Sequence, residues 1–141
     1  MKKIEFQDYP STETPLNAEN LNQMQENIED AINSYTKSVD ANGWTVIDFG
    51  TYKEYFMYFE QEITLDANGW NGYLIQKYLP VGMNRIGNAI LTGVARASDA
   101  AIDLDIGIPS EGTMITINGR NHNNGAITCR AFINLRITDF N

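Results

Sequence analysis

The most polar loop of the sequence carries its single histidine, in the segment Gly119-Arg120-Asn121-His122-Asn123-Asn124-Gly125. A histidine that acts as a general base needs a carboxylate to orient it and a nucleophile to deprotonate, and neither stands beside His122 in the sequence. An exposed loop residue is the simpler interpretation. The alternative is a polar binding tip in which Asn121, His122 and Asn123 contact a ligand. In either case we expect replacement of Asn121 or His122 by alanine to leave folding intact.

Cysteine and aspartate supply no clearer catalytic pattern. Cys129 falls on the apolar face of an alternating segment, where a small buried hydrophobic residue explains it. Asp103 and Asp105 share one face of a predicted strand, which is typical of a solvated acidic surface. Glu60 and Glu62 are likewise same-face neighbours on a predicted strand. The sequence therefore predicts that the protein is not an enzyme.

Two copies of the pentapeptide Asp-Ala-Asn-Gly-Trp, at residues 40–44 and 66–70, resemble the start of a calcium-binding loop. The twelfth positions of those loops hold Thr51 and Lys77, whereas an EF-hand requires glutamate there. Asn-Gly is also the favoured dipeptide of tight turns, which is the simpler explanation. We expect no metal site and no cofactor.

Aromatic side chains are concentrated in the second part of the chain, and most of them should pack in a core. Trp70 and Tyr73 stand beside the predicted turn at 66–72, and we expect these two to be available to a ligand. Tyrosine and tryptophan combine an apolar face with a hydrogen-bonding tip, which suits glycans and protein interfaces alike.

Composition excludes several classes of protein. The 141 residues carry a formal net charge of −8, with one Cys and one His. One Cys excludes an internal disulfide, and one Cys with one His cannot fill a structural zinc site. A pI near 4.5 argues against a nucleic-acid-binding module. Because no apolar run approaches the roughly 20 residues of a membrane span, we expect a soluble protein with no membrane insertion.

The elements that position these residues fall into two predicted domains, an arm with a helix at 1–42 and a β head at 43–141. Pro10 and Pro15 keep the arm extended, and Asn17 can cap the helix that follows. Six apolar residues then recur at helical spacing and predict a helix over 17–39: Leu21, Met24, Ile28, Ile32, Tyr35 and Val39. This apolar stripe either packs on the protein's own sheet or forms the axis of a self-associated, trimeric stalk.

After Gly43 the hydrophobic period changes to two, which indicates antiparallel strands with one buried face. The clearest alternation covers 55–65, 102–108 and 127–137, with weaker strands at 44–49, 73–79, 88–97 and 113–118. The segment Ala89–Ala97 is small or apolar on both faces, which predicts a central strand. Seven strands without a second helix predict a β-sandwich or jelly roll.

The segment from Phe6 to Asn22, which ends in Thr-Pro-Leu-Asn-Ala-Glu-Asn-Leu-Asn, resembles the opening of many bacteriophage and prophage structural proteins. These are tail-fibre, baseplate, receptor-binding and head-fibre components. The resemblance implies a homotrimer in the virion, made in the cytoplasm of the bacterial host. Residues 1–40 would attach to other virion proteins, and the C-terminal β domain would face outward.

Three functions follow from this resemblance. The first is a fibre or receptor-binding protein whose head recognises a host-surface glycan without cleaving it. The second is a purely structural head fibre, capsid decoration or baseplate connector with no host ligand. The third is a small glycan-hydrolysing head, for which Glu60 and Glu62 would have to act as a pair.

Overall fold

The computed structural model describes residues 18–32, 35–108 and 112–140. One helix and eight strands follow in chain order: α1 Ala18–Ile32, β1 Thr36–Val39, β2 Thr45–Asp48, β3 Lys53–Leu65, β4 Trp70–Tyr78, β5 Ile90–Ala97, β6 Ile102–Gly107, β7 Met114–Asn121 and β8 Ile127–Asp139. The predicted mainly β architecture is confirmed. The predicted extended arm and the cap at Asn17 lie outside the described residues.

The helix is shorter than its apolar spacing predicted. It ends at Ile32, so Tyr35 and Val39 are not part of it, and Val39 belongs to β1. Thr36 and Val39 are β-branched, which restricts their rotamers in a helix and favours strands. Pairing with β2 supplies the backbone hydrogen bonds that a longer helix would have supplied. The helical part of the stripe is therefore Leu21, Met24, Ile28 and Ile32.

The first Asp-Ala-Asn-Gly-Trp segment forms the turn between β1 and β2 instead of ending a helix. The Gly43 amide donates to the Asp40 carbonyl at 3.1 Å, and the Asp40 amide donates to the Trp44 carbonyl at 2.9 Å. Gly43 has a φ of 87°, a conformation that glycine adopts without a Cβ clash. The predicted turn chemistry is confirmed, in a different structural setting.

The strands form two antiparallel sheets. The five-stranded sheet has the order β1-β2-β3-β8-β5, and the three-stranded sheet has the order β4-β7-β6. The long strands β3 and β8 pair in register from Lys53↔Asp139 to Leu65↔Ile127. In the sequence, β4 and β7 both lie between β3 and β8. The pairing of β4 with β7 is therefore nested within the pairing of β3 with β8, as in a long hairpin that folds over into two sheets.

Both sheets contribute to one hydrophobic core. Alternate residues of β8 are fully buried, and β7 and β3 bury alternate residues in the same way: Ala131, Ile133, Leu135, Ile137, Ile115, Ile117, Tyr55 and Met57. Each large apolar side chain buried in this way stabilises the fold by about 1.5–3 kcal/mol. This core makes each sheet a rigid support whose other face presents side chains outward.

The predicted central position of Ala89–Ala97 is wrong, because β5 is at the edge of the five-stranded sheet. Its small residues reflect close packing instead. A Cβ at Gly93 would lie within 3 Å of the Asn134 carbonyl oxygen and of side-chain atoms of Ile106 and Leu135. The strand therefore needs a small residue there although it has a neighbour on one side only.

The chain forms two compact units that divide between Thr36 and Lys37. Helix α1 belongs to the first unit, and β2–β8 belong to the second. The functional assignment of residues 1–42 to attachment and of 43–141 to a head remains a prediction. Among the described residues, no helix combines the length and the apolar character needed to cross a bilayer.

Candidate functional site

The outward face of the three-stranded sheet brings together side chains from all three of its strands. Trp70 of β4 lies opposite Arg120 of β7, and Arg120 lies opposite Asp103 of β6. In the next row, Asn118 of β7 lies opposite Asp105 of β6. Directly opposed residues of antiparallel strands share a face of the sheet. An indole, a guanidinium, a carboxamide and two carboxylates therefore lie side by side.

These five residues line an open groove of about 290 Å³ together with Leu104, Gly119 and His122. The volume is near the lower end of small-molecule sites, at about 300 Å³, which suits one sugar ring or a similar small polar group. Because the side chains project from paired strands over a packed core, the groove is a preformed surface.

His122 forms the end wall of this groove. Its Nε2 lies 2.7 Å from Asp103 Oδ2, and its backbone amide donates to the Ala101 carbonyl at 2.9 Å. The sequence showed no acid beside His122, because Asp103 is 19 residues away and reaches it only through the pairing of β6 with β7. The carboxylate fixes the orientation of the exposed imidazole, so the pair can present both a donor and an acceptor to a ligand.

Trp70 and Tyr73 are both exposed, as expected. The indole of Trp70 lies over Gly72, where any Cβ would overlap the ring. Tyr73 has a φ of 63° within the irregular register between Asn71 and Ile75, and its amide donates to Asn118 Oδ1 at 3.0 Å. Bulges of this kind redirect side chains. Trp70 therefore lines the groove, and Tyr73 borders it through Asn118.

Asn121 has a different role from the predicted ligand contact. Its side chain is 1% exposed, and its Nδ2 contacts the carbonyl oxygens of Leu65, Asp66 and Gly125 at 3.3, 2.9 and 3.0 Å. Its Oδ1 accepts from the Asn123 amide at 2.9 Å. Asn121 therefore joins the loop before β8 to the turn after β3, and the expectation that its replacement leaves folding intact does not fit these bonds.

Asn123 belongs to the same junction. Its carbonyl accepts from the Asn68 amide at 2.8 Å, and its Oδ1 accepts from the Asn124 amide at 2.8 Å. Trp70 and His122 are thus the predicted contacts that line the groove, whereas Asn121 and Asn123 hold its supporting loops.

Sequence reasoning missed four lining residues: Asp103, Asp105, Asn118 and Arg120. The two aspartates alternate along β6, and that spacing did place them on one face. Which residues of β7 and β4 share that face depends on strand order, which the sequence does not show.

A larger depression, of about 360 Å³, lies elsewhere on the β unit, between Lys53, Tyr55, Asp139 and the loop 81–86. Burial raises the pKa of the Tyr55 phenol there. This depression is lined mostly by loop residues and contains no exposed aromatic ring of the kind that Trp70 provides. The groove on the three-stranded sheet is therefore the better candidate site.

Glu60, one of the two same-face glutamates that a hydrolytic head would need as a pair, lies on the outward face of the five-stranded sheet. Its two carboxylate oxygens accept from the Tyr58 hydroxyl at 2.7 Å and from Arg130 Nη1 at 2.9 Å. The Tyr58 bond first, and the Arg130 bond next, lower the pKa of Glu60 below its ordinary value. A general acid needs the opposite shift. Within 18–32, 35–108 and 112–140, no group of three or more His, Cys, Asp or Glu is placed to hold a metal ion.

No family model matches the chain, and no curated protein matches it. Among solved structures, a C-terminal fragment of the R1 pyocin fibre of P. aeruginosa is similar, with a TM-score of 0.44 and 13% sequence identity. The alignment covers 75% of this chain and 28% of that fragment. The function is therefore inferred from the residues of this chain.

Proposed function

We propose that this chain is a fibre or receptor-binding protein of a phage or prophage virion, which is a homotrimer. Residues 1–40 attach it to other virion proteins, and the β unit recognises a host-surface glycan without cleaving it. The resemblance of residues 6–22 to virion structural proteins supports the class of protein. The groove between Trp70 and His122 is the observation that supports recognition by the β unit.

The chemistry of the groove matches that of a sugar ring. A pyranose has an apolar C–H face that can stack on the exposed indole of Trp70. Its hydroxyl groups can donate to the carboxylates of Asp103 and Asp105, and can accept from Arg120 and Asn118. These partners are arranged in cross-strand rows, so little ordering is required when the ligand binds.

Self-association is supported by the exposure of the helical stripe. Leu21, Met24 and Ile28 are all exposed along one side of α1. An isolated helix of 15 residues is marginal in water, so this one needs a partner for its apolar side. Three copies would also present three weak sites at once, which raises the overall affinity by roughly 10²–10⁴ without any new contact.

A non-catalytic role is part of the proposal. The lowered pKa of Glu60 supports it, because an ionised carboxylate held by two donors is unsuited to protonating a leaving group. The competing structural role, with no host ligand, is favoured by the apolar residues that the outward face of the five-stranded sheet exposes.

Binding of the purified chain to an array of bacterial surface polysaccharides tests the proposed recognition. Trp70→Ala should weaken binding at least tenfold, since about 1.4 kcal/mol of stacking energy corresponds to that factor. Tyr78→Ala is the matched control, because Tyr78 is also exposed on β4 but lies outside the groove. Equal binding by Trp70→Ala would exclude the groove, and the absence of binding by the unaltered chain would favour the structural role.

A further inference from the structure

The outward face of the five-stranded sheet differs from an ordinary solvated face. Cross-strand pairing places Val94 of β5, Asn134 of β8 and Tyr58 of β3 in one row of outward residues. The neighbouring rows add half-buried and exposed apolar side chains on the same face: Phe56, Phe132 and Ile90. Antiparallel sheets that face water normally alternate apolar-in with polar-out. Aromatic and aliphatic groups on the outer face, accompanied by arginine, are typical of a protein interface.

Charge on this face is balanced, unlike the charge of the whole chain. On β3, β8 and β5 it carries three glutamates and three arginines: Glu54, Glu60, Glu62, Arg96, Arg130 and Arg136. The complete chain has a net charge of −8. Two copies therefore repel each other over most of their surfaces, and a neutral face is where they can approach closely.

Internal bonds already hold several of these side chains in place. Arg130 Nη1 pairs with Glu60 Oε2 at 2.9 Å, and Arg136 pairs with Glu54. The Arg136 guanidinium also lies 5.4 Å from the centre of the Phe56 ring. Side chains that are ordered before binding lose less conformational entropy when an interface forms.

The remaining charges on the face can pair with a partner. Arg96 and Glu62 make no ion pair within the part of the chain that the structure describes. Glu62 lies on β3 opposite Arg130, and Arg96 lies on β5 opposite Phe132. The two charges therefore have opposite signs and lie on either side of β8. A second copy of the same face offers each of them a group of the complementary charge.

The size of the face is close to that of a standard protein interface. The five strands contain 4, 4, 13, 13 and 8 residues, which at about 3.4 Å per residue and about 4.8 Å between strands give a flat area of about 690 Å². A standard interface buries about 800 Å² on each partner. The face therefore approaches the area that a specific protein contact needs.

We infer that a second copy of this chain docks on the outward face of the five-stranded sheet, centred on Tyr58, Phe132 and Val94. Partners with a strong net charge fit this face poorly, because it offers no excess of either sign. Because the same face of each copy meets the other, the contact joins chains in pairs and links one trimer to another. It does not depend on the saccharide groove.

Matched substitutions test this inference in the full chain. Val94 and Val81 are 59% and 57% exposed, so Val94→Glu and Val81→Glu replace equally exposed side chains. Tyr58 and Tyr78, at 63% and 59%, form a second pair as Tyr58→Ser and Tyr78→Ser. Sedimentation equilibrium should show at least a tenfold larger dissociation constant for Val94→Glu and Tyr58→Ser, and no change for the two controls. Unchanged assembly in Val94→Glu and Tyr58→Ser, or an unaltered chain that is monomeric at all concentrations, would overturn the inference.

Radical footprinting of the unaltered protein gives a second measurement that does not rely on variants folding. Tyr58 should become several-fold less reactive than Tyr78 when the protein assembles. If α1 alone holds the copies together, Tyr58 and Tyr78 stay equally reactive in the assembled protein and the inference fails. Glycan binding measured on the same sample tests the groove separately. A sample that binds glycan but leaves Tyr58 as reactive as Tyr78 contradicts the sheet contact and not the proposed recognition.

Discussion

Asn121 shows how one buried amide can hold two loops together. Its Nδ2 is within hydrogen-bond distance of three backbone carbonyls, and its Oδ1 accepts from Asn123. A buried carbonyl that loses its donor keeps the cost of desolvation without the compensating bond. The polarity of the loop that contains Asn121 thus reflects structure as much as recognition.

We expect Asn121→Ala to lower the free energy of unfolding by about 2–3 kcal/mol, because one buried and two partly buried carbonyls lose their donor together. Urea unfolding followed by circular dichroism measures the change. Asn123→Ala is the control, since its exposed side chain accepts one hydrogen bond and should cost less than about 1 kcal/mol. Equal losses in the two variants would contradict a structural role for Asn121.

The Glu60 carboxylate is the clearest perturbed acid on the outward face of the five-stranded sheet. The bond from the Tyr58 hydroxyl is the largest cause of its lowered pKa, and the bond from Arg130 is the next. The same Glu60 bond raises the pKa of Tyr58. A carboxyl with a lowered pKa in the folded state stabilises the fold above its ordinary pKa, and this contribution is lost as the pH falls through the folded-state value.

Tyr58→Phe removes the main cause of this shift, so the pKa of Glu60 should rise toward its ordinary value. The decrease in the free energy of unfolding that protonation of Glu60 causes at acid pH should therefore become smaller. An NMR titration of the Glu60 side chain measures the pKa, and Tyr78→Phe is the control. A Glu60 pKa that does not move in Tyr58→Phe would show that the hydroxyl bond is not formed in solution.

The turn at 40–44 connects β1 to β2 and also anchors the loop after β4. Asp40 Oδ1 accepts from the amides of Asn42 and Trp44, and Oδ2 accepts from the Val81 amide, each at 2.9 Å. Asn42 Nδ2 donates to the Leu79 carbonyl at 2.7 Å. One carboxylate therefore fixes the conformation of its own turn and the position of a distant loop.

Asp40→Ala should lower the free energy of unfolding by about 1–2 kcal/mol, because three amides lose a charged acceptor, one of them at a partly buried position. Asp66→Ala in the second pentapeptide is the matched control. The bonds of Asp66 use its backbone carbonyl, so its side chain should contribute less than about 1 kcal/mol. Chemical denaturation of both variants measures the difference, and a reversed order would contradict the anchoring role.

At the scale of the whole molecule, the proposed assembly has to overcome a charge of −8 on each copy. The exposed residues of α1 and the neutral face of the five-stranded sheet are two surfaces that can do so. They make separable predictions, because one lies on the helix and the other on β3, β8 and β5.

Ile28→Asp should dissociate the assembly, because it would place an unpaired carboxylate among apolar side chains at a cost of about 3–5 kcal/mol. Light scattering on a sizing column, at a concentration too low for the sheet contact to form, should give three times 15.9 kDa for the unaltered chain and a single chain mass for the variant. Asn22→Asp adds the same charge on the polar side of α1 and should leave the trimer intact. A trimeric Ile28→Asp would mean that the stripe is not the interface.

The accuracy of sequence reasoning differed between elements. Alternation located β3, β6 and β8 to within two residues at each end, because one buried face forces a period of two. The same reasoning missed β1, where four exposed residues give no alternation. It also placed β5 at the centre of its sheet instead of at the edge, because small residues on both faces suit a close-packed edge strand as well as a central one.

The groove could be predicted only in part. The exposed Trp70 and the polar loop around His122 were visible in the sequence. The partner of His122 was not, because Asp103 reaches it through the register of two strands. Arg120 and Asn118 were hidden for the same reason.

The two identical pentapeptides separate what the sequence alone determined from what the tertiary structure decided. Both form turns, with the amide of Gly43 bonded to the carbonyl of Asp40 and that of Gly69 bonded to Asp66, because these bonds lie within four residues. The two tryptophans differ completely, since Trp44 is 0% exposed and Trp70 is 70% exposed. Trp44 Nε1 donates to the carbonyl of Tyr78, 34 residues away, whereas Trp70 begins a strand on its outward face. Local hydrogen bonding fixes a turn, but burial depends on which distant strand covers a side chain, and that is decided only when the sheets assemble.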